Sequence, residues 1–272
     1  MGMSNAGVQA STRPQFVDVT GRRIRHLIVG DEGDAVVMVH GFGGRLENWS
    51  GNQSVLAAAG RVVAALDLPG HGESSPDVGS GSLDELASVV QGYMDTVGIG
   101  RAHLVGHSMG AALCLALADR EPGRVQSLTL VAPAGLRQKI NSEFIRGYIG
   151  ARTRDELVPL MSLLYADPRH VTDELLGQVV AYKQRPGVAE ALAKIASSRY
   201  GGTPSGRQLR DVAGCVPTLM LWGVADAVIP PPAPGDFVRE GVLIRVLPCS
   251  GHMVQIEAAD EVNRLMDDFL VR

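Results

Sequence analysis

A serine with glycine two residues to either side, Gly106-His107-Ser108-Met109-Gly110, stands between an apolar run ending at His107 and a helical pattern opening at Met109. A serine on so sharp a strand-to-helix turn has strained backbone angles and little lateral room. Glycine at the flanking positions removes the collision and leaves the hydroxyl exposed. In a chain with 33 glycines the pattern alone is weak, and the strand before it and helix after it give it weight. A hydroxyl becomes a nucleophile when a base takes its proton and an acid holds the base. Of the seven histidines, His252 lies in Cys249-Ser250-Gly251-His252-Met253, after the last strand pattern and before the last helix, at the sheet edge that carries Ser108. His40 and His71 precede the serine and are expected to shape loops. Asp226, in Gly223-Val224-Ala225-Asp226, directly follows an apolar strand pattern. Asp236 and Glu240 fall into the next expected helix, and Val131-Ala132-Pro133 offers no acid. The order Ser108, Asp226, His252 is that of a catalytic triad built on a sheet with alternating helices. Negative charge developing on a substrate oxygen needs converging backbone N–H groups. Met109, at a helix N-terminus, and Phe42, in His40-Gly41-Phe42-Gly43-Gly44, are the expected donors.

The elements that must position these residues alternate. Short β-branched runs at 35–40, 61–66, 103–107, 127–131, 218–222 and 242–247 read as buried strands. Runs at 15–20 and 22–29 read as an antiparallel opening hairpin. Helical patterns fall near 46–59, 82–97, 109–120 and 259–270, and Ser82 with Glu85 forms a capping box. The fold class is therefore α/β, a mostly parallel central sheet with helices on both faces. The rhythm breaks between about 134 and 214, where helical patterns at 140–150, 152–165, 171–183 and 187–199 follow one another, closed by Gly201-Gly202-Thr203-Pro204. This predicts a core of residues 1–133 and 215–272, with a helical cap of residues 134–214 inserted after the sixth strand, above the strand C-termini. Phe144, Tyr148, Leu160, Met161 and Leu164 are the cap's candidates for lining a substrate pocket, although helical spacing of this kind fits lid core as well. Arg146, Arg152, Arg154, Arg169 and Arg185 are expected on solvated helix faces. Trp49 and Trp222 read as core, and Cys249 as a buried structural thiol.

Composition narrows the function classes. Twenty-five basic against twenty-nine acidic residues give a net charge of −4 with pI near 6.0, which speaks against nucleic acid or an anionic membrane as partner. Cys114, Cys215 and Cys249 give neither a disulfide framework nor zinc spacing. The first fifteen residues lack a signal-peptide pattern, Ala6 stands where myristoylation wants Ser or Thr, and the first dozen residues are expected to fray. The most apolar stretch, 109–118, is about half a membrane span. A soluble cytoplasmic protein with no cofactor and no metal is expected, its partner a small-molecule acyl substrate; the oligomeric state stays open.

The loop at 40–44, the turn Asp67-Leu68-Pro69-Gly70-His71-Gly72-Glu73-Ser74, the serine pentapeptide, the acid loop at 223–226 and the segment Ser250-Gly251-His252-Met253-Val254-Gln255-Ile256-Glu257 together resemble the α/β-hydrolase superfamily over essentially the whole chain. Ala132-Pro133-Ala134-Gly135-Leu136, the cap through Tyr182-Lys183, and residues 251–259 look more closely like the hydrolase-like domain of acetoin-dehydrogenase-type dihydrolipoyllysine acetyltransferases. Those transferases carry a lipoyl domain of roughly 80 residues, below the usual domain size. Here the first strand pattern begins near Gln15, and the lysines, Lys139, Lys183 and Lys194, sit in no hairpin that could be lipoylated. A complete self-lipoylated acetyltransferase is therefore not expected. The resemblance implies a serine hydrolase that cleaves a small carboxylic ester, thioester or lactone through an acyl-enzyme on Ser108. Acyl transfer to a thiol or alcohol, hydrolysis of a C–C bond next to a ketone, and a receptor that kept the fold are the alternatives. Serine at the elbow argues against the aspartate chemistry of epoxide and haloalkane hydrolases.

Overall fold

Near-continuous apolar runs can be buried on both faces only in the middle of a layered sheet, and the computed structural model places them there with one exception. The run at 242–247, expected to be buried, is the sheet's edge strand and is buried only at Leu247. The structure describes residues 8–136, 139–198, 209–233, 235 and 240–271. Strands β1 (Gln15–Val19), β2 (Arg22–Val29), β3 (Ala35–Val39), β4 (Val62–Leu66), β5 (Ala102–His107), β6 (Val125–Val131), β7 (Thr218–Gly223) and β8 (Val242–Leu247) form one sheet in the order β1-β2-β4-β3-β5-β6-β7-β8. β1, β2 and β4 pair antiparallel, and the run from β4 to β8 is parallel. Every residue of β3, β4, β5 and β7 is buried, whereas β2 alternates. Trp49 and Trp222 are both core residues.

Helices α1 (Ser50–Ala58), α2 (Leu83–Thr96) and α3 (Met109–Arg120) precede the break in rhythm. α2 and α3 contribute Leu86, Tyr93 and Leu113 to the core on one face of the sheet, and Leu56 of α1 packs on the other. α3 is buried from Met109 through Ala118, as expected of an all-round apolar helix. Ser82 caps α2, its oxygen accepting the Glu85 N–H at 3.2 Å. The Glu85 carboxylate, however, pairs with Arg22 at 2.7 Å instead of returning to the cap, so a tertiary ion pair replaces the second half of the expected capping box.

Between β6 and β7 run α4 (Ser142–Gly150), α5 (Arg154–Met161), α6 (Asp173–Lys183) and α7 (Val188–Ser197), followed by the short α8 (Leu209–Val212). Asn141, Thr153 and Thr172 cap α4, α5 and α6 through their side-chain oxygens. Helical pattern 152–165 resolves into α5 and a 3-10 turn, Ser162–Leu164. After β8 come α9 (Val254–Glu257) and α10 (Ala259–Leu270), whose Val262 and Met266 join the core on the α1 side. The end of the helix expected over 187–199, the Gly-Gly-Thr-Pro closure and Asp236 lie outside the described residues. The expected fraying of the first dozen residues is corrected at Ser11, whose N–H donates to the Ile28 carbonyl at 2.8 Å. Among the described residues no helix is long and apolar enough to cross a membrane, and no group of three or more His, Cys, Asp or Glu could hold a metal ion.

Candidate active site

The turn between β5 and α3 is as strained as its sequence implies. Ser108 has φ 52° and ψ −114°, a conformation that costs on the order of 1–3 kcal/mol and persists only where the surroundings over-determine it. They do so here. The Ser108 N–H donates to the Val131 carbonyl at 2.8 Å, and its carbonyl accepts from Ala111 and Ala134, each at 3.1 Å. A Cβ on Gly106 would lie 2.6 Å from the Ala111 backbone, and one on Gly110 would lie 2.2 Å from the Val39 carbonyl oxygen. Both glycines are required by close backbone approach. Gly41 is similar: a Cβ there would lie 2.7 Å from His107 Nδ1 and 3.0 Å from Ser108 Cβ, so glycine lets the 40–44 loop close over the serine.

His252 and Asp226 meet behind this turn. Asp226 Oδ2 lies 2.8 Å from His252 Nδ1, and Oδ1 accepts the Val228 and Ile229 N–H groups, each at 2.8 Å. The carboxylate is fully buried. Trp222 Nε1 holds the same loop by donating to the Ile229 carbonyl at 3.0 Å. Gly223 allows the crossing of the two loops, since a Cβ there would sit 2.2 Å from the Gly251 carbonyl oxygen. An ionised carboxylate only accepts, so Nδ1 carries the imidazole proton and Nε2 is the basic nitrogen.

The neighbouring histidines are committed elsewhere. His40 Nε2 accepts the Leu68 N–H at 3.0 Å, which leaves Nδ1–H to donate to the Gly41 carbonyl at 2.7 Å. His71 Nδ1–H donates to the Pro69 carbonyl at 2.9 Å. Burial drives His40 well below the usual histidine range and His71 down to about 4. Both shape loops, as expected. His107 has a further role: its Nε2–H donates to the His252 carbonyl at 3.1 Å, and burial, reinforced by His252, keeps it neutral.

Ser108, His252, Phe42 and Met109 line one cavity of about 420 Å³. Phe144, Tyr148, Met161 and Leu164 line it as well. Leu160 does not, which corrects its place among the pocket candidates. Its side chain packs on α4, where a Cβ on Gly147 would lie 2.6 Å from Leu160 Cδ2. Successive helix positions point about 100° apart, so Met161 faces the cavity and Leu160 the neighbouring helix.

A family model described as the alpha/beta hydrolase fold matches residues 34–259. The chain belongs to the α/β-hydrolase fold family. This α/β hydrolase is 45% identical over 260 residues to the dihydrolipoyllysine-residue acetyltransferase component of the acetoin cleaving system of Pseudomonas putida, covering 94% of this chain and 69% of that protein. It is 30% identical over 252 residues to 2-hydroxy-6-oxononadienedioate/2-hydroxy-6-oxononatrienedioate hydrolase 1 of Dechloromonas aromatica (strain RCB), covering 87% of this chain and 86% of that one. A solved meta-cleavage product hydrolase from Pseudomonas fluorescens IP01 superimposes with a TM-score of 0.82 at 26% identity, over 94% of this chain and 97% of that one. Both resemblances drawn from the motifs are borne out, and the protein is an enzyme of the α/β-hydrolase type.

In this α/β hydrolase several residues matter that periodicity did not single out. Val179 and Met253 add apolar wall to the cavity beside Tyr165, itself one of the cap's apolar positions, and Arg45 and Gln178 meet across it in a hydrogen bond. The hydroxyl bonds of Tyr148, a pocket candidate, and of Tyr182 were not legible. Their hydroxyls donate to the Gly43 and Gly70 carbonyls at 3.1 and 2.7 Å. Arg185 is not on a solvated face: its guanidinium donates to the Gly72 carbonyl and reaches the Ser74 carbonyl at 3.4 Å. Arg146 is exposed yet lines the cavity. Cys249 is exposed with φ 55°, not buried, because the turn into the His252 loop faces it outward.

Proposed function

We propose that this α/β hydrolase is a serine hydrolase that cleaves a carboxylic ester, thioester or lactone. The observation that carries this reading is that His252, hydrogen-bonded behind to the buried Asp226, lines the same cavity as the strained Ser108. His252 Nε2 takes the Ser108 proton as Oγ attacks the acyl carbonyl, and Asp226 stabilises the imidazolium that forms. The Phe42 and Met109 N–H groups face the oxyanion, and the α3 N-terminus adds its dipole. Collapse of the tetrahedral intermediate releases the alcohol or thiol, which takes the proton from His252. Water then enters by the same steps in reverse and releases the acid.

Residues 134–214 act as the cap that sets acyl size. A cavity of about 420 Å³ lies in the range that holds drug-sized ligands, far beyond what an acetyl group fills. That volume holds an acyl group together with its leaving group or with a thiol acceptor, so acetyl transfer, the reaction named for the Pseudomonas putida relative, is a competing reading. Cleavage of a C–C bond beside a ketone is a third reading. It is favoured by Arg45 and Arg146, which line the cavity while no Asp or Glu does among the described residues. The compounds named for the Dechloromonas relative are dicarboxylates, and two arginines suit such a charge.

The test is a panel of activated esters and thioesters of graded acyl length, run beside a 6-oxodienedioate, with and without dihydrolipoamide. Free acid should be the main product, and thiol should divert a minor share. Capture of most of the acyl group by thiol would make the enzyme a transferase. Turnover of the dienedioate alone would establish the C–C reading.

A further inference from the structure

Glu257 ends α9, five residues beyond His252, and is not among the cavity-lining residues. Its carboxylate nevertheless joins two segments that are distant in the chain. Oε2 accepts the Gly251 N–H at 2.7 Å. Oε1 accepts the Ala166 N–H at 2.8 Å and the Asp167 N–H at 3.1 Å. On the other side of His252, the Met253 N–H donates to the Leu164 carbonyl at 3.0 Å. Both neighbours of His252 are thus bonded to residues 164–167, one directly and one through Glu257. The approach is close: a Cβ on Gly251 would lie 2.9 Å from the Ala166 nitrogen and 3.0 Å from the Leu164 carbonyl oxygen. Leu164 and Tyr165, in the same short segment, line the cavity that Ser108 also lines.

Three backbone N–H groups on one carboxylate are charge-assisted bonds, stronger than neutral ones and fixed in direction. They lock the cavity wall and the His252 backbone into one body. The imidazole is then held at three points: the ring by Asp226, the carbonyl by His107, and the flanking amides by this bracket.

We propose that Glu257 is a positioning residue that couples the cavity wall at Leu164 and Tyr165 to the general base His252. This rests on the serine-hydrolase reading above. An acyl group long enough to press on the wall shifts Ala166, and through Glu257 shifts Gly251 and the imidazole beside it. Turnover and acyl-length preference are therefore set together.

The test uses Glu257→Gln and Glu257→Asp in the full chain, with active sites counted by an organophosphonate that labels Ser108. Glutamine places an NH2 donor against an N–H donor, and aspartate falls one methylene short. A base displaced by about 1 Å loses on the order of 100-fold in rate, so kcat per labelled site should fall roughly 10- to 100-fold. The ratio of kcat/KM for the longest and shortest esters should shift at least about fivefold in both variants. A lower melting temperature with kcat per site and that ratio unchanged would make Glu257 a mere staple of α9 and overturn the coupling. A fall in kcat with the ratio unchanged would overturn it too. Should neither variant fold, the wild-type enzyme answers through amide exchange in long- and short-chain phosphonate adducts. The long adduct should change protection at Ala166 and Gly251 together, and a change at Ala166 alone would refute the proposal. Failure of the wild type to label at Ser108 would sink the serine-hydrolase reading itself, before Glu257 is touched.

Discussion

The Tyr148 hydroxyl donates to the Gly43 carbonyl at 3.1 Å, tying α4 to the loop that also carries Phe42. Gly43 has φ 72°, and a Cβ there would lie 2.6 Å from the Tyr148 ring, so ring and loop are fitted to each other. Lys183 holds the far side: its ammonium donates to the Tyr148 carbonyl and lies 4.5 Å over the ring. Burial lowers the Lys183 pKa to about 8. Tyr148→Phe keeps the ring and loses the tether. It should cost about 1–2 kcal/mol of stability, read by denaturant unfolding. Looser placement of Phe42 should also lower kcat/KM about 3- to 10-fold. An unchanged kcat/KM would show that the loop holds its shape without Tyr148.

Met161→Ala and Leu160→Ala should behave differently although the residues are adjacent. Met161 lines the cavity and Leu160 packs on Gly147. Truncating Met161 should move the preferred acyl chain roughly two to three carbons longer, whereas truncating Leu160 should lower stability and leave the preference in place. Equal shifts from both would contradict the assignment of faces.

That pair also marks where sequence reading reached its limit. Sequence pattern placed the strands to within two residues; for β3 to β7 this is because burial on both faces leaves a near-uninterrupted apolar signal, while β1, β2 and β8 are only partly buried. Gly106 and Gly110 were legible because a backbone clash forces their type, and Ser108 because it stands between them at the strand-to-helix turn. Leu160 against Met161 was not, since both are apolar and the 100° between them acquires meaning only once a partner helix is placed. Glu85 had a local partner in Ser82, and Arg22, distant in sequence, took its carboxylate instead. The bonds of Glu257, Tyr148 and Arg185 run to backbone atoms of other segments, and backbone groups leave no trace in residue type.

Ser108 should respond to substitution in two separable ways. Ser108→Ala and Ser108→Gly both remove the proposed nucleophile and should abolish organophosphonate labelling. They differ in backbone. Alanine inherits φ 52°, while glycine accepts it at little cost. The relief of about 1–3 kcal/mol exceeds the roughly 0.5–1 kcal/mol that glycine loses in unfolded-state entropy. Ser108→Gly should therefore melt at a higher temperature than Ser108→Ala. The reverse order would mean that the turn is not strained.

Acid should destabilise the enzyme over a window set by buried histidines. His26, His40, His71, His103 and His107 all have pKa values lowered by burial, His71 to about 4. Their unfolded forms bind a proton near the ordinary value of 6.5. Between these limits the unfolded state binds more protons, so stability rises with pH and is lost as pH falls from 6.5 toward 4. For His71 alone the loss is on the order of 3 kcal/mol at the lower limit, a sizeable part of a typical 5–15 kcal/mol. Urea midpoints measured from pH 7 to 4 should fall steadily, and His71→Gln should flatten part of the slope. A midpoint independent of pH in this range would refute the neutral assignment.

Asp226→Asn tests the tautomer argument most directly. The amide oxygen can take the place of Oδ1 and keep both the Val228 and Ile229 N–H bonds, so the loop should hold its shape. The amide NH2 then replaces Oδ2 and faces His252 Nδ1 as a donor. Nδ1 must accept, the imidazole proton moves to Nε2, and the nitrogen that should take the Ser108 proton already carries one. Loss of the correct tautomer costs about 10⁴-fold in kcat in a well-studied serine protease, and a fall of roughly 10³- to 10⁴-fold is expected here with little change in melting temperature. Asp226→Ala differs because it also strips the acceptor from two buried N–H groups, adding about 2–4 kcal/mol of destabilisation. Measured together, kcat and unfolding free energy separate the two roles of the carboxylate. An asparagine variant that kept more than about a tenth of wild-type kcat would mean that another acid orients His252, since such a loss is far below what a reversed tautomer imposes.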